Sequence, residues 1–178
     1  MITQSQFERA RDLLKPSLIA VVVTYARGKV NIAPIAWHAI SSAYERPWAV
    51  CMGLSNDSHS LANLRRHKEF VLAFPSRTQI KDVLWCGTVS GKSVDKAAAT
   101  DLKFTPSRIV HPPLLQNAVL NLECKVMKSI KLESFTIMVS KIIEVHASTQ
   151  KSFDKIYALG NERYGIVSRT KVMQKGRT

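Results

Sequence analysis

At 178 residues, with 46% hydrophobic and 22% charged residues, the chain has an ordinary globular composition and enough length to bury one substantial core. No run approaches the ~18–20 apolar residues of a membrane helix, and the polar start MITQSQFERARDLLK lacks the apolar centre of a secretory leader, so cytoplasmic residence is expected. The unusual property is charge: 26 Lys and Arg against 13 Asp and Glu give a net +13 and a pI near 10.0, a surface that attracts anionic ligands and polyanions. Cys51, Cys86 and Cys124 show no CxxC spacing, which argues against a disulfide framework, and no His/Cys/Asp/Glu spacing suggests a metal site.

In chain order, Phe7, Ala10, Leu13 and Leu14 fall at helical spacing, and Pro16 ends that helix. Leu18–Tyr25 is rich in β-branched residues and reads as a central strand. Ala26–Lys29 is a hairpin turn in which Gly28 supplies the positive φ. Val30–Ser42 returns as one long strand, kinked at Pro34, because proline cannot donate to a sheet ladder. Arg46-Pro47 turns the chain into an apolar strand, Trp48–Leu54. Asp57, Ser58 and Ser60 then offer caps to a short helix, Ser60–His67.

Glu69–Phe74 is the next strand, and Gln79–Trp85 a second short helix. Cys86 lies in a loop-like segment where it could be reactive, Thr88–Lys92 reads as a Gly-centred loop, and Asp95–Thr100 as a helical turn. Pro106, Pro112 and Pro113 mark an irregular crossing segment. Ala118–Met127 and Ser134–His146 are long strands joined by a turn at Ser129–Glu133, and Ser152–Leu159 is predicted helical. About six antiparallel strands without βαβ alternation give a mainly β fold, an antiparallel Greek-key barrel with peripheral short helices. Residues 1–165 form a single domain in this reading, and 166–178 a basic, loose tail.

The stretch Asn31–Leu54, NIAPIAWHAISSAYERPWAVCMGL, followed by NDSHSLANLRRHKEF, gathers small hydroxyls and backbone at strand ends and a helix N-terminus. Such a place suits a phosphate and a flat ring. With these residues, SLANLRRHKEFVLAFP, SGKSVDKAAATDLKF and NLECKV follow in order. Together they resemble the flavin reductase-like family, whose fold is the FMN-binding split β-barrel. The turn at Arg46-Pro47 has one proline where the family commonly has two, and Lys92 stands where it often has Arg.

The resemblance implies FMN held near a homodimer interface, with NAD(P)H or another donor supplying electrons. It implies that Asn31, Ala33, Ile35 and Trp37 line the ring, with Ser41 and Ser42 facing it from the strand end. Ser58, Ser60 and Asn63 would offer groups to the phosphate, and Ser90, Gly91 and Lys96 a loop closing over it with Lys96 as counter-charge. Plainer roles stand beside these: Trp37 suits a core position, Ser60 a helix cap, Lys96 a solvated surface. His38 reads as an outward strand residue and His59 as a loop residue.

No catalytic side chain is assigned, because hydride chemistry would belong to the flavin and the protein would position it. The function so implied is an FMN-binding oxidoreductase of flavin reductase type, passing electrons from NAD(P)H or a protein donor to flavin or a small acceptor. The alternatives are a non-catalytic FMN-binding electron carrier, a basic barrel binding nucleic acid without cofactor, and the related pyridoxamine-phosphate oxidase-like group. Nucleic acid is disfavoured by dispersed basic residues and only 7% aromatics.

Overall fold

The computed structural model describes residues 2–41, 44, 46–149, 155–160 and 163–166. A capping box at Thr3 and Gln6 opens α1 (Gln4–Leu13), none of whose residues is buried. Then come β1 (Ser17–Leu18), β2 (Ala20–Ala26), β3 (Lys29–Ile35), β4 (His38–Ile40), β5 (Ala49–Ser55), α2 (His59–His67), β6 (Glu69–Phe74) and α3 (Ile80–Thr88). The chain continues through β7 (Phe104–Thr105), β8 (Leu114–Leu115), β9 (Leu120–Lys131), β10 (Phe135–Ala147), β11 (Ile156–Gly160) and β12 (Arg163–Ile166).

Seven strands form one antiparallel sheet in the order β3-β2-β6-β9-β10-β5-β4. Its two edges, β3 and β4, are consecutive in the chain and separated only by Ala36 and Trp37. Laid flat, six inter-strand steps would put them about 29 Å apart, whereas three residue steps reach at most about 11 Å. The sheet must therefore curl until its edges approach. It is a half-barrel, mainly β with few short helices, as expected. The long strand read from Val30 to Ser42 is corrected by the same fact: it is two strands on opposite edges, with Ser42 itself outside the described residues. Pro34 is tolerated because β3 is an edge strand.

Residues 20 and 22 of β2 point into one core cluster and residues 21 and 23, with Ile19 just before the strand, into another, which is why this stretch reads as an unbroken apolar run. The first cluster, with Met52, Phe70, Leu72 and Met138, lies inside the curl and receives Leu61 and Leu64 of α2. The second lies outside it, under α3 and the crossing segment, around Val83, Cys86 and Leu115. The β2–β3 turn holds Arg27 at φ 52° and Gly28 at φ 77°, and its register sets Thr24 opposite Asn31.

Other expectations are revised. Residues 156–160 are strand rather than helix, paired with β1 and β12, while 152–154 lie outside the described residues. Asp95–Thr100 is a run of turns. The β9–β10 turn is confined to 132–134, since the strands run on to Lys131 and from Phe135. The basic tail from 167 onward lies outside the described residues.

Candidate functional site

At one end of the curl the inward face of β2 and β3 turns from apolar to polar, at Thr24 and Asn31, and α2 is laid against it. Ser58 caps α2, its hydroxyl accepting the Leu61 N–H at 3.2 Å. The first-turn N–H groups of His59 and Ser60 have no intrahelical acceptor. One face of α2 is buried: Leu61 and Leu64 enter the core, while Ser60 and Asn63 meet the strands. The Asn31 amide donates to Ser60 Oγ at 2.8 Å and to Thr24 Oγ1 at 3.4 Å. The Asn63 amide donates to the same Thr24 oxygen at 3.0 Å.

The other end of the Asn31 amide is unfinished. Its Oδ1 is buried and has no hydrogen-bond partner. Gly91, on the loop after α3, lies against it so closely that a Cβ there would sit 1.9 Å from Oδ1. Asn31, Ala33, Ser58, Ser60, Ser90, Gly91 and Lys96 together line a cavity of about 380 Å³. A second cavity of about 240 Å³, which includes Asn63, shares Asn31, His59 and Gly91 with it.

The remaining residues singled out from the sequence lie elsewhere. Ile35 packs on the inner core. Trp37 is half-exposed between β3 and β4, with its ring against Gly53 and edge-on to Phe135 at 5.1 Å. Ser41 exchanges hydrogen bonds with the Ala49 backbone at 2.9 Å. Ser42 is not among the described residues. Lys96 is buried, its ammonium donating to the carbonyls of Ile32 at 3.0 Å and Cys86 at 2.5 Å. Burial holds that ammonium below the usual lysine range.

Three expectations change on this evidence. Cys86 is a buried residue of α3 rather than a loop thiol, and burial pushes its thiol up to about 11, which makes it unreactive. His38 points inward: its Nε2 meets the Leu18 carbonyl at 3.0 Å and its ring lies edge-on to Phe74. His59 begins α2 and lines both cavities; burial and then Lys92, Lys96, Arg27 and Arg66 hold its imidazole below the usual range. Sequence reading missed Thr24, although counting back from the two-residue turn places it opposite Asn31. It also missed the convergence of Arg27, Arg66 and Lys92, which come from three separate elements.

A curled antiparallel sheet with a small-hydroxyl and amide cradle at one end is the architecture of a split β-barrel. This chain belongs to the flavin reductase-like domain family, whose sequence model matches residues 14–168. A protein of Archaeoglobus fulgidus known only as uncharacterised is 32% identical over 117 residues, 66% of this chain and 65% of its own length. The match thus spans just under two thirds of that relative. Among solved structures, the 2-nitrobenzoate 2-nitroreductase of Pseudomonas fluorescens superposes with a TM-score of 0.87 at 17% identity, over 99% of this chain and 93% of its own. An FMN-binding protein of Thermus thermophilus, solved with p-hydroxybenzaldehyde, gives 0.79 at 21% identity, over 90% and 91%. At these identities the likeness is one of fold, the split barrel.

Proposed function

We propose that this protein is an FMN-binding oxidoreductase of the flavin reductase type, receiving electrons from NAD(P)H or a protein donor and passing them to flavin or a small acceptor. The observation that carries the reading is Asn31 Oδ1, a buried acceptor without a donor on the wall of a cavity that no side chain at Gly91 fills. Buried polar atoms are nearly always paired, so an orphan in a residue of the cavity wall points to a ligand with a hydroxyl or N–H to give. The ribityl chain of a flavin has such hydroxyls. The phosphate of FMN suits the other half of the cradle: the hydroxyls of Ser60 and Ser90, the first-turn N–H groups of α2, and the positive charge of Lys96.

Bound flavin supplies the hydride chemistry. The chain's own part is to hold and orient it. Asn31 is fixed by Ser60 and Thr24, so its carbonyl is set before a ligand arrives. Lys96 ties β3 to the end of α3 through two carbonyls, which fixes the loop carrying Ser90 and Gly91 while keeping a positive charge at the cavity wall. The Trp37 ring lies on Gly53 as a flat apolar platform just beyond Ala33 and Ile35 on the same stretch of chain. Exposed Trp37, Phe135, Ile130 and Met127 support a homodimer with the flavin near its interface. The FMN-binding neighbour supports the choice of cofactor.

The test is to mix the purified protein with FMN, remove free ligand by filtration and record the visible spectrum, then add NADH or NADPH without oxygen. Retained flavin that bleaches with the nicotinamide supports the reductase. Retained flavin that does not bleach selects a protein donor. A colourless protein refutes the reading.

A further inference from the structure

We propose that the outer face of β9, β10 and β5 docks an acidic electron-carrier protein; the partner's redox role rests on the flavin reading above, and the docking face does not. The strand registers place Lys125 and Lys141 directly opposite each other on β9 and β10, with Lys128 on the same face opposite Val139. All three are exposed, and none meets a carboxylate among the described residues. Glu69, across from Lys125 on β6, is taken by the backbone N–H and the imidazole of His111. Like charges set directly opposite on a sheet are destabilising, and a negative partner removes that repulsion.

Two further observations set this face apart. The β9–β10 register skips Met127: Ser140 pairs with Val126, and Val139 with Lys128. Under strict alternation Lys128 would share the side of Val126, toward the inner core. The extra residue re-aims it onto the face that carries Lys125 and Lys141. Beside Lys141 opens a groove of about 770 Å³, lined also by Arg46, Trp48, Ile143 and Val145. Arg46 lies over the Trp48 ring at 4.3 Å. The carboxylate in this lining, Glu144, is engaged by the Arg108 guanidinium at 3.2 Å and the Val145 N–H at 3.0 Å.

This chemistry selects the partner. Trp and Arg beside apolar side chains are the anchors of protein interfaces, and complementary charge steers the encounter. A nucleic acid needs an open aromatic face on which to stack a base, and Arg46 covers one face of Trp48. A second copy of this chain, itself at net +13, carries the same excess of cations. The homodimer fits the apolar end of the face instead, at Trp37, Phe135 and Ile130. What complements the lysines is a protein surface rich in Asp and Glu. Gly53, under the Trp37 ring, lies four residues along β5 from Ala49, the cross-strand neighbour of Lys141. That is about 13 Å of strand, so a carrier seated on the lysines lies beside the flavin platform. In that complex the reduced carrier gives its electrons to the flavin and is itself oxidised, with protons drawn from solvent.

The experiment measures, by calorimetry at low salt, the binding of an acidic plant-type ferredoxin to the FMN-loaded protein. The wild type is compared with Lys128→Glu/Lys141→Glu and with Lys81→Glu/Lys103→Glu, which makes the same charge change at two exposed lysines on α3 and before β7. Lys141→Glu turns the like-charged pair into an opposite-charged one, so the fold is not endangered. Binding should weaken about tenfold or more in the first variant, stay within about twofold in the second, and fade as salt is raised. Equal weakening in both variants, or no binding by the FMN-loaded wild type, overturns the proposal. So does single-stranded DNA or a phosphatidylserine vesicle that binds through Lys128 and Lys141 more tightly than the ferredoxin, or a dimer that dissociates in the first variant alone. A wild type that retains no FMN yet binds the ferredoxin through these lysines upholds the docking face and refutes the flavin reading.

Discussion

Two buried polar clusters on this barrel are finished differently. On β9, Glu123 is fully buried, and its carboxylate accepts the backbone N–H groups of Arg108, Ile109 and Val110 at 2.7–2.9 Å and meets His146 Nε2 at 2.7 Å. Around β3, the amides of Asn31 and Asn63 and the hydroxyls of Thr24 and Ser60 form a cluster of similar burial, yet Asn31 Oδ1 has no donor. The first cluster is closed and braces the irregular crossing segment to the sheet. The second lies at a cavity wall with one acceptor unfilled. A polar residue deep in a fold is a brace where its valences are filled and a candidate ligand contact where one is left unfilled beside a cavity. Ser140 Oγ, the other unpartnered buried atom among the described residues, lines neither cavity.

Breaking the brace gives the largest effect. Glu123→Ala strands three N–H groups and His146, and removing one side of such a buried charged network costs about 3–5 kcal/mol. Urea unfolding should show that loss, whereas flavin affinity of the fraction still folded should change little. A loss below about 1 kcal/mol would mean that the crossing segment is held by something else.

Acid sharpens the same contrast. Burial raises the Glu123 carboxyl, but the Arg108 N–H, His146 and the N–H groups of Val110 and Ile109 outweigh it, and the net shift is downward. A group depressed in the native state stabilises fully above its unfolded value, about 4.3. That contribution is lost as pH falls through the lower native value. Thermal melts of the wild type should therefore lose stability in this acid window, and Glu123→Gln should lack that part of the slope.

In the open cluster the expected effect is on binding. Gly91→Ala puts a Cβ 1.9 Å from Asn31 Oδ1 and 3.0 Å from His59 Cδ2. Displacing the fixed amide should weaken FMN by tenfold or more, about 1.4 kcal/mol, with a melting temperature close to wild type. Gly53→Ala acts on the platform, since its Cβ would overlap the Trp37 ring at 1.2 Å from Cε3. A few-fold loss of flavin affinity is expected, with a changed Trp fluorescence spectrum. The smallest effect concerns His59, depressed by burial and then by Lys92, Lys96, Arg27 and Arg66. A bound phosphate raises it, so FMN should bind better as pH falls through the bound-state value, levelling off below the free-state value. Riboflavin titrations should stay flat, and so should FMN titrations of His59→Gln.

How much of this was legible in the sequence follows from the range of the interactions. The β2–β3 hairpin, and a short helix capped from among Asp57, Ser58 and Ser60, are local and were readable from residue type and spacing. The break at Ala36-Trp37 was not, because alternating apolar residues look the same whether a strand continues or passes to the far edge of a sheet. Only closure of the curl forces the break. Residues 156–160 were read as helix, yet pairing of Tyr157 and Ala158 with β1 overrides that preference. The motif order indicated Asn31, Ser60, Ser90 and Gly91, which the fold brings to one cavity. Lys96 was legible as a charge but not as a buried strut, since its acceptors lie on β3 and α3. The cationic cavity was invisible, because Arg27, Arg66 and Lys92 are distant in sequence and meet only through packing.

The most direct test compares FMN with riboflavin, which differ only in the phosphate, on the wild type and Ser60→Ala, by fluorescence titration at fixed salt. The wild type is expected to bind both, with FMN at least tenfold tighter, and Ser60→Ala to weaken both and narrow the gap. Equal affinity for the two flavins, or no binding of either, would contradict it.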